Sequence, residues 1–167
     1  ELSARVSPAQ LVSVLNEVFS RFDEMAERFG LEKIKTIGDA YMVAAGLPEP
    51  RKDHAEVMVE MALRMNAALA QMNEEKGYGL SLRIGVHSGP VVAGVIGKKK
   101  FIYDLWGDTV NTASRMESHG LKDAIHVSET TAELVRGRFE LESRGTIAVK
   151  GKGDMVTYIV RGERVAV

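Results

Sequence analysis

No cysteine occurs among the 167 residues, so disulfides and thiolate metal sites are both excluded. That absence fits a reducing compartment. With only 4 prolines and no low-complexity tract or repeat there is no room for a long linker, and one domain is the natural reading. No apolar run approaches the ~18 residues of a membrane span, and no signal-peptide pattern opens the chain. Charge of one sign is also missing. Lys and Arg number 22 against 23 Asp and Glu, and a net charge of −1 gives no reason to expect nucleic acid or an anionic membrane as partner. What remains, 45% hydrophobic and 27% charged residues, is the composition of a soluble globular domain. A chain of this length can bury about 70% of its unfolded surface. It begins at Glu1 rather than methionine, so any upstream anchor or regulatory domain lies out of view.

The patterning predicts mixed elements. Ser7-Pro8-Ala9-Gln10 has the form of a capping box with proline at the first helical position. Leu11, Leu15, Val18, Phe22, Met25 and Phe29 then follow at steps of four and three, a helical face that Gly30 ends. From Leu31 to Ala45 β-formers flank Gly38-Asp39, which reads as a hairpin. A second helix buries Met58, Ala62, Met65, Leu69 and Met72, methionines that suit an adaptable core rather than a cofactor box. Leu80, Leu82, Ile84 and Val86 alternate with polar residues and glycine as in a half-buried strand. Strands are expected at Val91 to Ile96 and Phe101 to Trp106, then a helix capped by Asp108 and running from Thr109 to about Ser118. A short strand at Ile125 to Val127, a helix capped by Ser128 and two closing strands around Gly145 to Gly153 complete the chain. Hairpins mixed with helices, without strict alternation, predict an α+β sandwich with helices on a largely antiparallel sheet.

Several residues could carry chemistry. Asp39, at a hairpin tip beside a glycine, is free to bind a hard cation such as magnesium, although Gly-Asp is also simply a good turn pair. Asn111 and Arg115 are four apart on one helix face, and Asp104 lies seven residues before Asn111 on the strand that feeds it. An amide and a guanidinium there could hold a phosphorylated or planar ligand, or could be a solvated polar face. Lys98, Lys99, Lys100 and Lys150 are candidate phosphate contacts, or solvated turns. No glycine carries the P-loop spacing. His54, His87, His119 and His126 show no metal-type spacing and are expected at the surface or as caps.

Together, these residues fall into four motifs. Lys33-Ile34-Lys35-Thr36-Ile37-Gly38-Asp39-Ala40-Tyr41-Met42 resembles the hairpin of class III nucleotidyl cyclase catalytic domains. Arg83-Ile84-Gly85-Val86-His87-Ser88-Gly89-Pro90-Val91, Tyr103-Asp104-Leu105-Trp106-Gly107-Asp108-Thr109-Val110-Asn111-Thr112-Ala113-Ser114-Arg115-Met116-Glu117 and Val149-Lys150-Gly151-Lys152-Gly153 resemble further segments of that family, in its order. The resemblance implies a ferredoxin-like βαββαβ-type sandwich over residues 1–167 and cyclisation of ATP to 3′,5′-cyclic AMP and pyrophosphate. By the same resemblance, Asp39 would hold two magnesium (or manganese) ions. Lys35 and Asp104 would read the adenine edge, Asn111 would orient the ribose, and Arg115 would stabilise charge on the phosphorus. Lys150 would contact the terminal phosphate, and Lys99 stands where an arginine often does so. Glutamate in place of Lys35 and a small or neutral residue in place of Asp104 would be the guanine type.

In the resembled family, sites lie between two domains packed head to tail. Both sets of residues are present here, which implies a homodimer with two equivalent sites in the cytoplasm. The resemblance also places a second metal-binding aspartate on a strand before Glu1, so the chain as given is expected to be impaired. The alternatives are a guanylyl cyclase, a catalytically silent regulatory partner and, more distantly, a generic phosphate-binding module.

Overall fold

The computed structural model describes residues 7–98 and 102–165. Helix α1 (Pro8–Phe29) begins as its sequence predicts: the Ser7 hydroxyl accepts from the Gln10 amide at 3.2 Å, and the Ser7 amide donates to Gln10 Oε1 at 2.8 Å. It ends where Gly30 takes a left-handed φ of 71°, a conformation that costs a side-chain-bearing residue more than glycine. Strands β1 (Glu32–Ile37) and β2 (Ala40–Ala44) form the predicted antiparallel hairpin. Helix α2 (His54–Lys76) lies between two apolar clusters. Met61, Met65 and Leu69 join Val18 and Phe22 of α1 in one, while Ala55, Val59 and Ala62 join the second, built around Val127 and Phe139. Its buried arc is therefore wider than a single stripe. Each fully buried Phe or Met contributes about 1.5–3 kcal/mol.

Strand β3 (Ile84–Val86) is shorter than the alternation suggests. Ahead of it, the Leu80 amide and carbonyl are satisfied by the Asn73 side chain, and those of Leu82 by Asp123. With those backbone groups already paired, no ladder is needed there. Strands β4 (Val92–Ile96) and β5 (Ile102–Trp106) form a second antiparallel hairpin. Phe101, expected to open that strand, lies outside the described residues. Helix α3 (Asp108–Ser118) follows directly. Asp108 is its first residue rather than its cap; Gly107 takes the cap position without a side-chain bond.

Strand β6 (Ile125–Ser128) leads into α4 (Glu129–Val135), which the Ser128 hydroxyl caps as predicted. The closing strands β7 (Phe139–Val149) and β8 (Gly153–Glu163) each run 11 residues, longer than expected. They join β3 and β6 in a four-stranded sheet of order β3-β6-β8-β7. Among the described residues, only the β3–β6 pairing is parallel, so the fold is α+β with antiparallel pairing dominant. No described helix is long and apolar enough to cross a membrane.

Candidate active site

The hairpin β1–β2 presents its chemistry through a bulge. Lys33 pairs with Val43 but Lys35 pairs with Met42, so Ile34 is an extra residue in β1. Paired regularly, Lys35 would stand opposite Tyr41, whose ring packs against Phe19 and Phe22 of α1. The bulge moves Lys35 to the other face, since side chains alternate with a period of two. The opposite face is anchored: the Tyr41 hydroxyl donates to Asp23 of α1 at 2.7 Å, and the Lys33 ammonium pairs with the same carboxylate at 3.0 Å. Burial and the Asp23 carboxylate together hold the Tyr41 hydroxyl protonated well above the usual tyrosine range.

Turned this way, Lys35 meets Asp104 of β5. Its ammonium donates to Asp104 Oδ2 at 2.7 Å, while Oδ1 accepts from the Leu105 amide at 2.8 Å. The Lys35 hydrogen bond, and after it the Leu105 amide, hold the Asp104 carboxyl below the usual carboxylate range. Both carboxylate oxygens are thus positioned, one by the neighbouring hairpin and one by the carboxylate's own strand. The residue is 8% exposed. Two residues 69 apart in sequence form one donor–acceptor pair.

Asp39 sits at the exposed hairpin tip after Gly38, which takes a φ of 56°. Among the described residues its carboxylate has no hydrogen bond or ion pair. An unpaired carboxylate on a turn fits magnesium, which uses one or two carboxylates plus waters and substrate phosphates. No cluster of three or more potential metal ligands occurs among the described residues. Asn111 is exposed and Arg115 half-buried on α3. Neither side chain has a protein partner among the described residues, and nothing bonds them to Asp39.

Lys150 is exposed in the β7–β8 turn. Two residues on, Lys152 forms an ion pair with Asp108, tying that turn to the start of α3. At the same end, the Thr109 hydroxyl donates to the Pro90 carbonyl at 2.6 Å. Lys98 is exposed, whereas Lys99 and Lys100 lie outside the described residues. His119 stands at the C-cap of α3, as expected, but two of the histidines depart from expectation. His126 is fully buried, and its Nδ1 lies 2.8 Å from the Met116 carbonyl. His87 is half-buried with Nδ1 2.6 Å from the Ser128 hydroxyl, and burial lowers its pKa. In the sequence pattern Gly85 and His126 stand as ordinary strand positions. A glycine inside a strand is itself the signal of a close backbone approach.

The family profile described as "Adenylate and Guanylate cyclase catalytic domain" matches residues 1–162. The chain belongs to the class III adenylate and guanylate cyclase family. Within that family it is 46% identical over 166 residues to an adenylate cyclase of Mycobacterium tuberculosis, covering 99% of this chain and 38% of the relative. It is 45% identical over 161 residues to the guanylate cyclase soluble subunit beta-2 of Rattus norvegicus, covering 95% and 24%. The guanylate cyclase domain of RhGC from Catenaria anguillulae, solved in complex with GTP, superposes with a TM-score of 0.92 at 40% identity, covering 97% of this chain and 89% of that one. The chain thus spans well under half of these two sequence relatives. Adenylate and guanylate cyclases resemble it about equally, so overall similarity does not choose the base.

Proposed function

We propose that this chain is the catalytic domain of an adenylyl cyclase, converting ATP to 3′,5′-cyclic AMP and pyrophosphate. The reading rests on the Lys35–Asp104 pair, ammonium to carboxylate at 2.7 Å. Adenine offers a ring nitrogen that accepts and an exocyclic amine that donates. Lysine can supply only donors, and an ionised aspartate only acceptors. Guanine carries a carbonyl where adenine carries that amine, and a carboxylate facing a carbonyl leaves two sets of lone pairs opposed. Sites that hydrogen-bond a substrate edge reject such mismatches because their buried polar groups lose partners. The 45% identity to a guanylate cyclase subunit keeps guanylyl cyclase as the second reading, and these two residues weigh against it.

In this reading the ribose 3′-hydroxyl attacks the α-phosphorus and pyrophosphate leaves. Asn111 orients the ribose. Arg115, with no carboxylate partner among the described residues, offsets charge on the pentavalent phosphorus. Lys150 meets the terminal phosphate, and Lys99 is assigned the same kind of contact. Asp39 would hold magnesium or manganese, which when bound supplies Lewis-acid stabilisation of the reacting oxygens.

The site is shared between two copies of the chain. Ile37, Val92, Val95, Ile96 and Trp106 are all exposed on the β1–β2 and β4–β5 hairpins, with Val92 at 66%. Exposed apolar side chains on these site-bearing hairpins suit a partner surface, and Asp39 is bonded to none of Asn111, Arg115 or Lys150 within one chain. Incubating the full-length protein that contains this chain with ATP or GTP and magnesium or manganese tests the reading. Cyclic AMP should form in excess of cyclic GMP, and exclusive cyclic GMP formation would overturn it.

A further inference from the structure

Helix α3 carries the two residues assigned to ribose and phosphorus, yet neither side chain has a protein partner among the described residues. Their placement must come from the helix backbone. Its seat is the β3–β6 pair, where Gly85 and His126 are register partners on adjacent strands. At Gly85 the helix lies almost against the strand backbone. A Cβ there would stand 2.1 Å from the Glu117 amide nitrogen and 2.5 Å from the Met116 carbonyl carbon, both backbone atoms with nowhere to turn. Beside it, His126 Nδ1 lies 2.8 Å from the Met116 carbonyl oxygen. A carbonyl only accepts, so Nδ1 carries the proton and Nε2 is the bare nitrogen, facing Arg144 Nη1 at 3.4 Å. Arg144 in turn donates to the His119 carbonyl. The last carbonyls of a helix have no partner within it, and here side chains of β6 and β7 take two of them.

We propose that Gly85 and His126 are positioning residues that set where Arg115 stands, Gly85 by admitting the helix and His126 by gripping the carbonyl of the next residue. The proposal rests on the cyclase reading above for its catalytic consequence, not for its geometry. Arg115 acts on charge that develops in the transition state, so displacing it lowers kcat and leaves nucleotide binding nearly unchanged. A misplacement of about 1 Å can cost a hundredfold in rate.

The test has two arms. In the first, Gly85→Ala, His126→Leu and His126→Asn are assayed with ATP, alone and in the Arg115→Ala background, with rates corrected for folded fraction by thermal unfolding. Gly85→Ala and His126→Leu should lower kcat about tenfold to hundredfold with KM within about twofold. His126→Asn, whose amide can still donate, should recover most of the loss. In the Arg115→Ala background the same substitutions should change the residual kcat by several-fold less than in the parent, because only Asn111 is left on the helix to be positioned. An undiminished loss in that background, or KM rising as kcat falls, overturns the proposal. The second arm needs no turnover: the 15N resonance of the Arg115 guanidinium should shift in His126→Leu and return in His126→Asn. An unmoved resonance in both overturns it. If the parent makes no cyclic nucleotide while the resonance moves as stated, the cyclase reading falls and the positioning role stands.

Discussion

Lys35 and Asp104 come to the site already engaged with each other, whereas Asn111 and Arg115 come with no protein partner among the described residues. The first pair is ordered by a direct contact, 2.7 Å long, between a bulged hairpin and a neighbouring strand. The second pair is ordered through its helix, which is tied at its start by Asp108–Lys152 and Thr109–Pro90 and at its end by His126 and Arg144. The difference suits the role proposed for each pair. A base-reading pair can satisfy itself while empty and exchange partners for the base at little cost. An arginine that meets a transient charge is better left without a carboxylate to neutralise it. Scaffold contacts can order such a group without spending its charge.

Breaking the helix-borne half should have the largest effect. Arg115→Ala should reduce kcat by on the order of 10²–10³, as removal of a transition-state donor does elsewhere, with KM for ATP nearly unchanged. The melting temperature should stay within a degree or two of the parent's, since Arg115 makes no ion pair among the described residues. A comparable rise in KM would mean that it binds the ground state.

Next in size is the separation of the two halves between chains. Arg115→Ala and Asp39→Ala should each be nearly inactive alone. An equimolar mixture should recover about a quarter of parental activity: half of randomly formed dimers are mixed, and one of their two sites is intact. A mixture as inactive as its parents, with subunit exchange proven by mass spectrometry, would place both residues in one chain's site.

Smaller effects should come from the ties. Lys152→Met frees the β7–β8 turn and should raise KM for ATP up to about fivefold, the limit set by an exposed ion pair worth at most ~1 kcal/mol. Lys150→Met, if Lys150 does meet phosphate, should exceed it. Equal effects would give both lysines the same role.

The smallest is a pH effect on the Lys35–Asp104 pair. Lys35 holds the folded-state pKa of Asp104 below that of an unfolded aspartate, ~3.9. The stabilisation is therefore present above about pH 4 and is lost as pH falls through the depressed folded value. Thermal unfolding of the parent and of Lys35→Met should differ most near neutral pH and converge below about pH 4. A gap that persists in acid would mean the pair contributes through packing rather than charge.

Much of this was legible in the residues. The capping box at Ser7, the stop at Gly30, the hairpin at Gly38-Asp39 and the cap at Ser128 are local signals, and all four stand where the sequence puts them. Four motifs in family order mark the candidate site residues, and the structure brings Lys35 and Asp104 into contact. What local reading could not supply were long-range exchanges of backbone partners. Leu80 and Leu82 alternate like strand residues, but Asn73 and Asp123 take their hydrogen bonds. Asp108 looks like a cap, but Lys152, 44 residues away, takes its carboxylate. His126 looks like a polar residue on an alternating strand, yet it is buried because a carbonyl of α3 requires a donor there. The bulge at Ile34 is the most consequential of these. Without it, the period-two pattern places Lys35 on the face of Tyr41, away from Asp104.

Selection of adenine by the Lys35–Asp104 pair, as proposed, can be read from one ratio. The kcat/KM for ATP divided by that for GTP should be measured for the parent and for the double variant Lys35→Glu, Asp104→Cys. The parent ratio should be well above one, and the double variant should lower it by on the order of a hundredfold or more, since both hydrogen-bonding partners of the base edge change. An unchanged ratio in a folded, active double variant would contradict the account.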